Sequence, residues 1–213
     1  MKWTIQWTVL VVGATILLLA PRAHADSGQP ERLVVGAQAG LTLATFTGPG
    51  ANNEFVSSSR ALGFAAGAMV AVRLHELFAA RAEVLFARKG ASATANGTKF
   101  GTYAADYIEV PLLATVTLPL SGRIRYYGAG GVSLAYRLAV KVVRPDGTTL
   151  DLTDRFEAMD MGWVVAAGVA MAARGAVTAE VRYSAGLSNI DKTGAEVDEV
   201  NNRALYFMLG YQW

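Results

Sequence analysis

Apolar and polar residues alternate with period two through most of the chain beyond residue 30, in eight separate stretches. In the first, Leu33, Val35, Ala37, Ala39, Leu41 and Leu43 share one parity, while Val34, Gly36, Gln38, Gly40, Thr42 and Ala44 share the other. The same alternation fills residues 62–74, 78–86, 108–118, 124–138, 161–171, 177–187 and 205–213. Each stretch predicts a β-strand with one apolar face. Most are about as long as the ~9–11 residues a tilted strand needs to cross a bilayer, whereas strands of globular domains average ~5–6 residues.

The connections carry a second regularity. Long polar stretches at 47–60, 92–102, 144–155 and 188–202 alternate with short turns at His75-Glu76, 119–122 and Arg174-Gly175. The third long stretch holds the turn signal Pro145-Asp146-Gly147. Barrels of the bacterial outer membrane have long external loops, short periplasmic turns and an even strand number. The predicted fold is therefore all-β: an eight-stranded antiparallel up-and-down transmembrane β-barrel.

Parity then assigns the faces. Arg73, Arg81, Glu83, Glu109, Arg125, Arg137, Glu180 and Arg182 all fall on the parity opposite the aliphatic residues. An Arg or Lys facing lipid at mid-bilayer costs ~2–4 kcal/mol, so all eight are expected inside as a paired polar network. Eight strands leave an interior just wide enough for side chains, and no continuous wide pore is expected. Phe78, Tyr126, Tyr211 and Trp213 are expected at the periplasmic interface, and Phe46, Phe64, Phe86, Tyr107, Tyr136 and Tyr183 at the outer one. The ending Tyr211-Gln212-Trp213 is similar to the insertion signal read by the barrel-assembly machinery, with Trp where Phe is more usual.

Residues 1–25 change the picture of location. Lys2, the apolar run 9–20 and the small-x-small Ala23-His24-Ala25 predict a signal peptide cleaved after Ala25, with the barrel domain at 26–213. The run is short for a transmembrane helix, which needs ~20 residues. Cleavage removes Lys2 and Arg22 and leaves 17 basic against 17 acidic residues. A mature chain of zero net charge, without a basic stripe, gives no reason to expect a nucleic-acid partner. The chain has no cysteine, which excludes disulfides, thiolate metal sites and thiol nucleophiles.

Several local pieces match a known family. They are Gly63-Phe64-Ala65-Ala66-Gly67, then Ala82-Glu83-Val84-Leu85-Phe86-Ala87-Arg88-Lys89-Gly90, then Tyr107-Ile108-Glu109-Val110-Pro111-Leu112-Leu113 and Tyr127-Gly128-Ala129-Gly130-Gly131. Two later ones are Arg182-Tyr183-Ser184-Ala185-Gly186-Leu187-Ser188-Asn189-Ile190 and Leu209-Gly210-Tyr211-Gln212-Trp213. Their order and spacing resemble the small outer-membrane β-barrel domain of the PorT-like group. The resemblance implies the fold and an outer-membrane location, and little about activity.

Candidate chemistry is sparse. His75 is the one histidine of the mature chain and falls in a short turn, so imidazole metal clusters are excluded by count. Glu83 and Glu109 could act as an acid–base pair, but Arg81 and Arg125 offer them ion-pair partners. Residues 128–131 lack the lysine of a phosphate loop. The acids Asp191, Glu196, Asp198 and Glu199 lack the spacing of a calcium hand. No cofactor, catalytic residue or metal site is expected. The expected partners are outer-membrane lipid and the assembly machinery, for a monomer acting through its external loops. A narrow channel and a soluble lipocalin-like lipid binder are the alternatives.

Overall fold

A computed structural model describes residues 33–47, 56–95, 98–118, 122–153, 158–187 and 201–213. They form nine strands: β1 (Leu33–Thr47), β2 (Val56–Arg73), β3 (Phe78–Ala95), β4 (Thr98–Thr117), β5 (Ile124–Val143), β6 (Thr149–Asp151), β7 (Met159–Ala172), β8 (Ala176–Gly186) and β9 (Asn201–Gln212). Each long strand pairs antiparallel with its chain neighbours, and β5 pairs with β7 across the connection that carries β6. The first and last strands pair from Gly36↔Gln212 to Thr47↔Asn201, which closes eight strands into a barrel. The backbone N–H of Trp213 adds a last bond to the Val35 carbonyl at 2.9 Å. Closure leaves none of the eight long strands with an edge inside the bilayer, where an edge has no water to satisfy it. The expected signal peptide and its cleavage site lie outside the described residues.

The parity read from the chain matches the burial. Leu41, Leu62, Phe64, Val84, Leu112, Val132, Leu134, Met161, Val165, Val181, Phe207 and Leu209 are exposed on the outer surface. Gln38, Thr42, Arg81, Glu83, Glu109, Ser133, Glu180 and Arg182 are buried inside. A soluble lipocalin-like barrel would reverse these faces, so that alternative is overturned. Glycine allows the strands to coil tightly where it replaces a larger inward residue. A Cβ on Gly67 would lie 2.0 Å from the Val84 carbonyl oxygen and 2.8 Å from the Leu85 Cα.

An ion pair marks the outer limit of the apolar belt. On β3 the outward residues Phe78, Ala80, Ala82, Val84 and Phe86 are followed by Arg88, and on β4 Ile108 is preceded by Asp106. Arg88 faces Asp106 across the ladder, with Nε–Oδ1 at 2.6 Å and Nη2–Oδ2 at 2.8 Å. Its guanidinium lies 5.6 Å from the Phe64 ring centre, and Phe64 packs against Phe86 at 5.6 Å. Residues 78–86 thus match the ~9 residues of a tilted crossing. Arg88, Asp106 and the aromatics beside them sit where an outer interface is expected.

Beyond that limit the structure departs from the sequence expectation. The stretch 92–102 was expected to be loop, yet β3 continues to Ala95 and β4 resumes at Thr98, paired throughout except for a register shift beside Ala93. Residues 56–60, expected in the first loop, are strand paired with 91–95. Within 144–155 the short β6 pairs with 141–143 of β5. The wall formed by β2 to β5 therefore rises above the belt. Within the described residues β7 begins at Met159, β8 ends at Gly186, β9 begins at Asn201 and β1 ends at Thr47. Outside the bilayer neither face of a strand must be apolar, so Ser92, Thr94 and Thr102 carry no period-two signal. The Pro145-Asp146-Gly147 turn forms as expected, with Gly147 at φ 82. Asp146 accepts from the Thr148 N–H and hydroxyl, which hold its carboxyl below the usual carboxylate range.

One aromatic is also corrected. Tyr107 was expected in the outer girdle but is 2% exposed inside the barrel. It shares parity with Glu109, so the alternation itself points it inward. Phe46, expected in the same girdle, has a side chain outside the described residues. Replacing Val84 by Arg places a charge in mid-belt and is expected to cost ~2–4 kcal/mol, read as a loss in urea unfolding free energy in lipid vesicles. A cost below roughly 1 kcal/mol would contradict the placement of the belt.

The polar lumen as candidate functional site

β3 and β8 lie across the barrel from one another, and each carries a charged pair two residues apart, which directs both members inward. Arg81 and Glu83 come from β3, Glu180 and Arg182 from β8. The Arg182 guanidinium grips Glu83 with both terminal nitrogens, at 2.8 and 2.9 Å. It also donates to Glu180 Oε1 from Nε at 3.0 Å and from Nη2 at 2.7 Å. Arg81 donates to Glu180 Oε2 at 2.8 Å. Its Nε lies 2.9 Å from Glu83 Oε1, an ion pair whose geometry makes no hydrogen bond. Gln38 Nε2 donates to Glu83 at 2.7 Å, and the Tyr127 hydroxyl donates to Glu180 at 3.0 Å. Two acids and two bases thus neutralise one another at 1–5% exposure. Isolated, any one of them would carry a large desolvation cost.

Nearer the long-loop end, Lys89 forms an ion pair with Glu109, and the Tyr206 hydroxyl donates to the other Glu109 oxygen at 2.8 Å. The Lys89 ammonium lies over the Tyr107 and Tyr206 rings, at 5.4 and 5.7 Å. Small residues make the room. A Cβ on Gly168 would come within 2.5 Å of the Tyr127 ring. Pro111 is fully buried on β4. The β3–β4 ladder is continuous down to Leu85↔Glu109 and resumes at Ala82↔Leu112, skipping the proline, which has no N–H to give.

At the long-loop end, Leu152 and Thr153 of the β5–β7 connection pack against inward-facing residues. Leu152 packs on Ala105, Tyr107, Ala135 and Val140. Thr153 accepts from Arg137 through its carbonyl at 3.1 Å, and from the Val140 N–H through its hydroxyl at 3.0 Å. Asp160 and Asn202 are buried at the same level.

Of the eight charges singled out in the sequence, Arg81, Glu83, Glu180 and Arg182 meet in one cluster. Glu109 pairs with Lys89 rather than with Arg125, and Arg137 donates to the Thr153 carbonyl at the long-loop end. Arg73 and Arg125 line a cavity at the short-turn end. Glu83 and Glu109 each have their own cation and are not a proton-sharing pair. Sequence reasoning missed Lys89 and Asp160 as lumen charges, although both have the inward parity. His75 sits in the β2–β3 turn, its Nδ1 accepting from the Leu77 N–H at 3.3 Å. Among the described residues no group of three His, Cys, Asp or Glu could hold a metal ion.

Comparison with known proteins agrees with this geometry. The outer membrane protein beta-barrel domain family matches residues 24–192, which is most of the chain. The protein belongs to this family. Its location is accordingly the bacterial outer membrane. Among solved structures, Neisserial surface protein A is similar over 84% of this chain and 95% of its own, at TM-score 0.52 and 16% identity. Outer membrane protein OprG from Pseudomonas aeruginosa is similar over 85% and 94%, at 0.50 and 11%. These identities speak for the shared barrel fold. No curated protein matches the sequence.

Glu83→Gln would leave Arg81 and Arg182 buried with too little negative charge. A loss of about 3–5 kcal/mol is expected, read by urea unfolding. Adding Arg182→Gln should cost less than the sum of the two single changes, because the partners belong to one network. Strict additivity would show that the cluster does not act as a unit.

Proposed function

We propose that this family member is a non-enzymatic, non-conducting outer-membrane barrel that presents a structural or binding surface outside the cell. The observation that carries the reading is the neutral cluster spanning β3 to β8, which occupies the middle of a lumen only eight strands wide. Leu152 and Thr153, packed against inward-facing residues at the long-loop end, support it further. The tall β2–β5 wall and the long connections then supply the surface available to a partner. Among the described residues, the lumen carboxylates Glu83, Glu109 and Glu180 are each held by a cation rather than left for acid–base work. Within the family, we assign the chain to the PorT-like group on the pieces around Glu83 and Glu109.

The partners in this reading are lipid around the apolar belt and the assembly machinery during insertion. Tyr211 and Trp213 form an edge-on ring pair at 5.2 Å, at the end of the last strand, where such a signal would be read. Closure within one chain fits a monomer. A second reading, a narrow channel, draws on the cavity at the short-turn end. Planar-bilayer recording of the refolded mature protein decides between them. No steady openings are expected; reproducible unitary conductance would overturn the non-conducting reading.

A further inference from the structure

The cavity at the short-turn end is lined by three guanidinium groups, those of Arg73, Arg81 and Arg125, together with Thr115, Tyr127 and Gln212. Its volume of about 90 Å³ exceeds what one water needs and leaves room for a small oxyanion. Arg81 is already matched by Glu83 and Glu180. Arg73 and Arg125 have no ion pair or hydrogen bond among the described residues. The Thr115 hydroxyl oxygen beside them is fully buried and also has no partner.

The surrounding charges reinforce this excess. Arg123 and Arg174 lie in the other two short turns. Glu76, in the β2–β3 turn, is the acidic side chain described at this end; it is exposed and forms no ion pair with Arg73. Glu83 and Glu180, which roof the cavity, are both saturated by Arg81 and Arg182. Low-dielectric walls lined by one sign of charge focus the field on an ion of the opposite sign. Planar guanidinium forks suit the paired oxygens of phosphates and carboxylates.

We infer that the periplasmic mouth of the barrel is an oxyanion-binding site. Arg73 and Arg125 grip the anion. The ligand class is a phosphate or carboxylate presented from the periplasm, either as a soluble ion or as the headgroup of an anionic lipid. The roof of paired charges stops it at this depth, so the site does not require a conducting lumen.

The test is a titration of the refolded mature protein with inorganic phosphate, in a zwitterionic detergent without phosphate groups. The readout is the side-chain Nε–Hε resonances of its arginines. Saturable shifts of Arg73 and Arg125 are expected. Arg73→Gln or Arg125→Gln should weaken binding roughly tenfold or more, and the double variant should abolish it. Retention of faster unboiled migration in SDS shows that each variant still folds. Non-saturating shifts, or a folded double variant that titrates like the wild type, would overturn the site. Nanodiscs of phosphatidylcholine with and without phosphatidylglycerol separate the sources. Resonances already shifted by phosphatidylglycerol, and insensitive to added phosphate, identify a lipid headgroup. Resonances that still respond to phosphate identify a soluble oxyanion.

Discussion

The hydrocarbon core of a bilayer offers no water to a peptide N–H or carbonyl, so every such group within it must be satisfied by the chain itself. The rest of this structure follows from that constraint. Pairing of β1 with β9 from Gly36 to Thr47 turns an open meander into a closed barrel. Closure at eight strands fixes a narrow interior. The pleat sends alternate side chains outward and inward. The outward set must therefore be apolar as far as Arg88 and Asp106, and the inward set must fill the space that remains.

That inward set is polar, and the narrowness of the lumen dictates how it is arranged. Water cannot flood an interior packed with Arg182, Tyr206, Leu85 and Glu83 at under 2% exposure, so charges there need opposite charges at contact distance. The β3 and β8 pairs neutralise each other, and Lys89 neutralises Glu109. Charges without partners are found where water can reach them, at the periplasmic mouth with Arg73 and Arg125. The gradient from a matched centre to an unmatched rim makes the middle of the barrel a wall and its lower end a basin.

Much of this was legible in the chain because the membrane enforces period two. The outward parity of Leu62 through Leu74 and of Met161 through Met171 holds at every position, since one polar residue there would meet lipid. The lumen network was legible only by face. Sequence separates Arg81 from Glu180 by 99 residues, and nothing in local pattern says which strands oppose each other across a barrel. Glu109 was therefore given the wrong cation; Lys89 follows the apolar run of β3 and looks like the start of a loop. The strands beyond Arg88 were invisible for the complementary reason. Above the bilayer the pleat has no apolar side to reveal it, and runs such as Ser92-Ala93-Thr94-Ala95 read as polar linker. Tyr107 shows the cost of placing an aromatic by its height along the strand before checking its parity.

The central claim is that a dry, neutral ion cluster fills the middle of a membrane barrel. Solvent exchange at individual guanidinium groups tests it most directly. In the folded protein in lipid, the Nε–Hε protons of Arg81 and Arg182 should exchange with water far more slowly than those of Arg123 and Arg174 in the periplasmic turns. Exchange at Arg81 and Arg182 as fast as in those turns would mean a water-filled lumen, and would contradict the account.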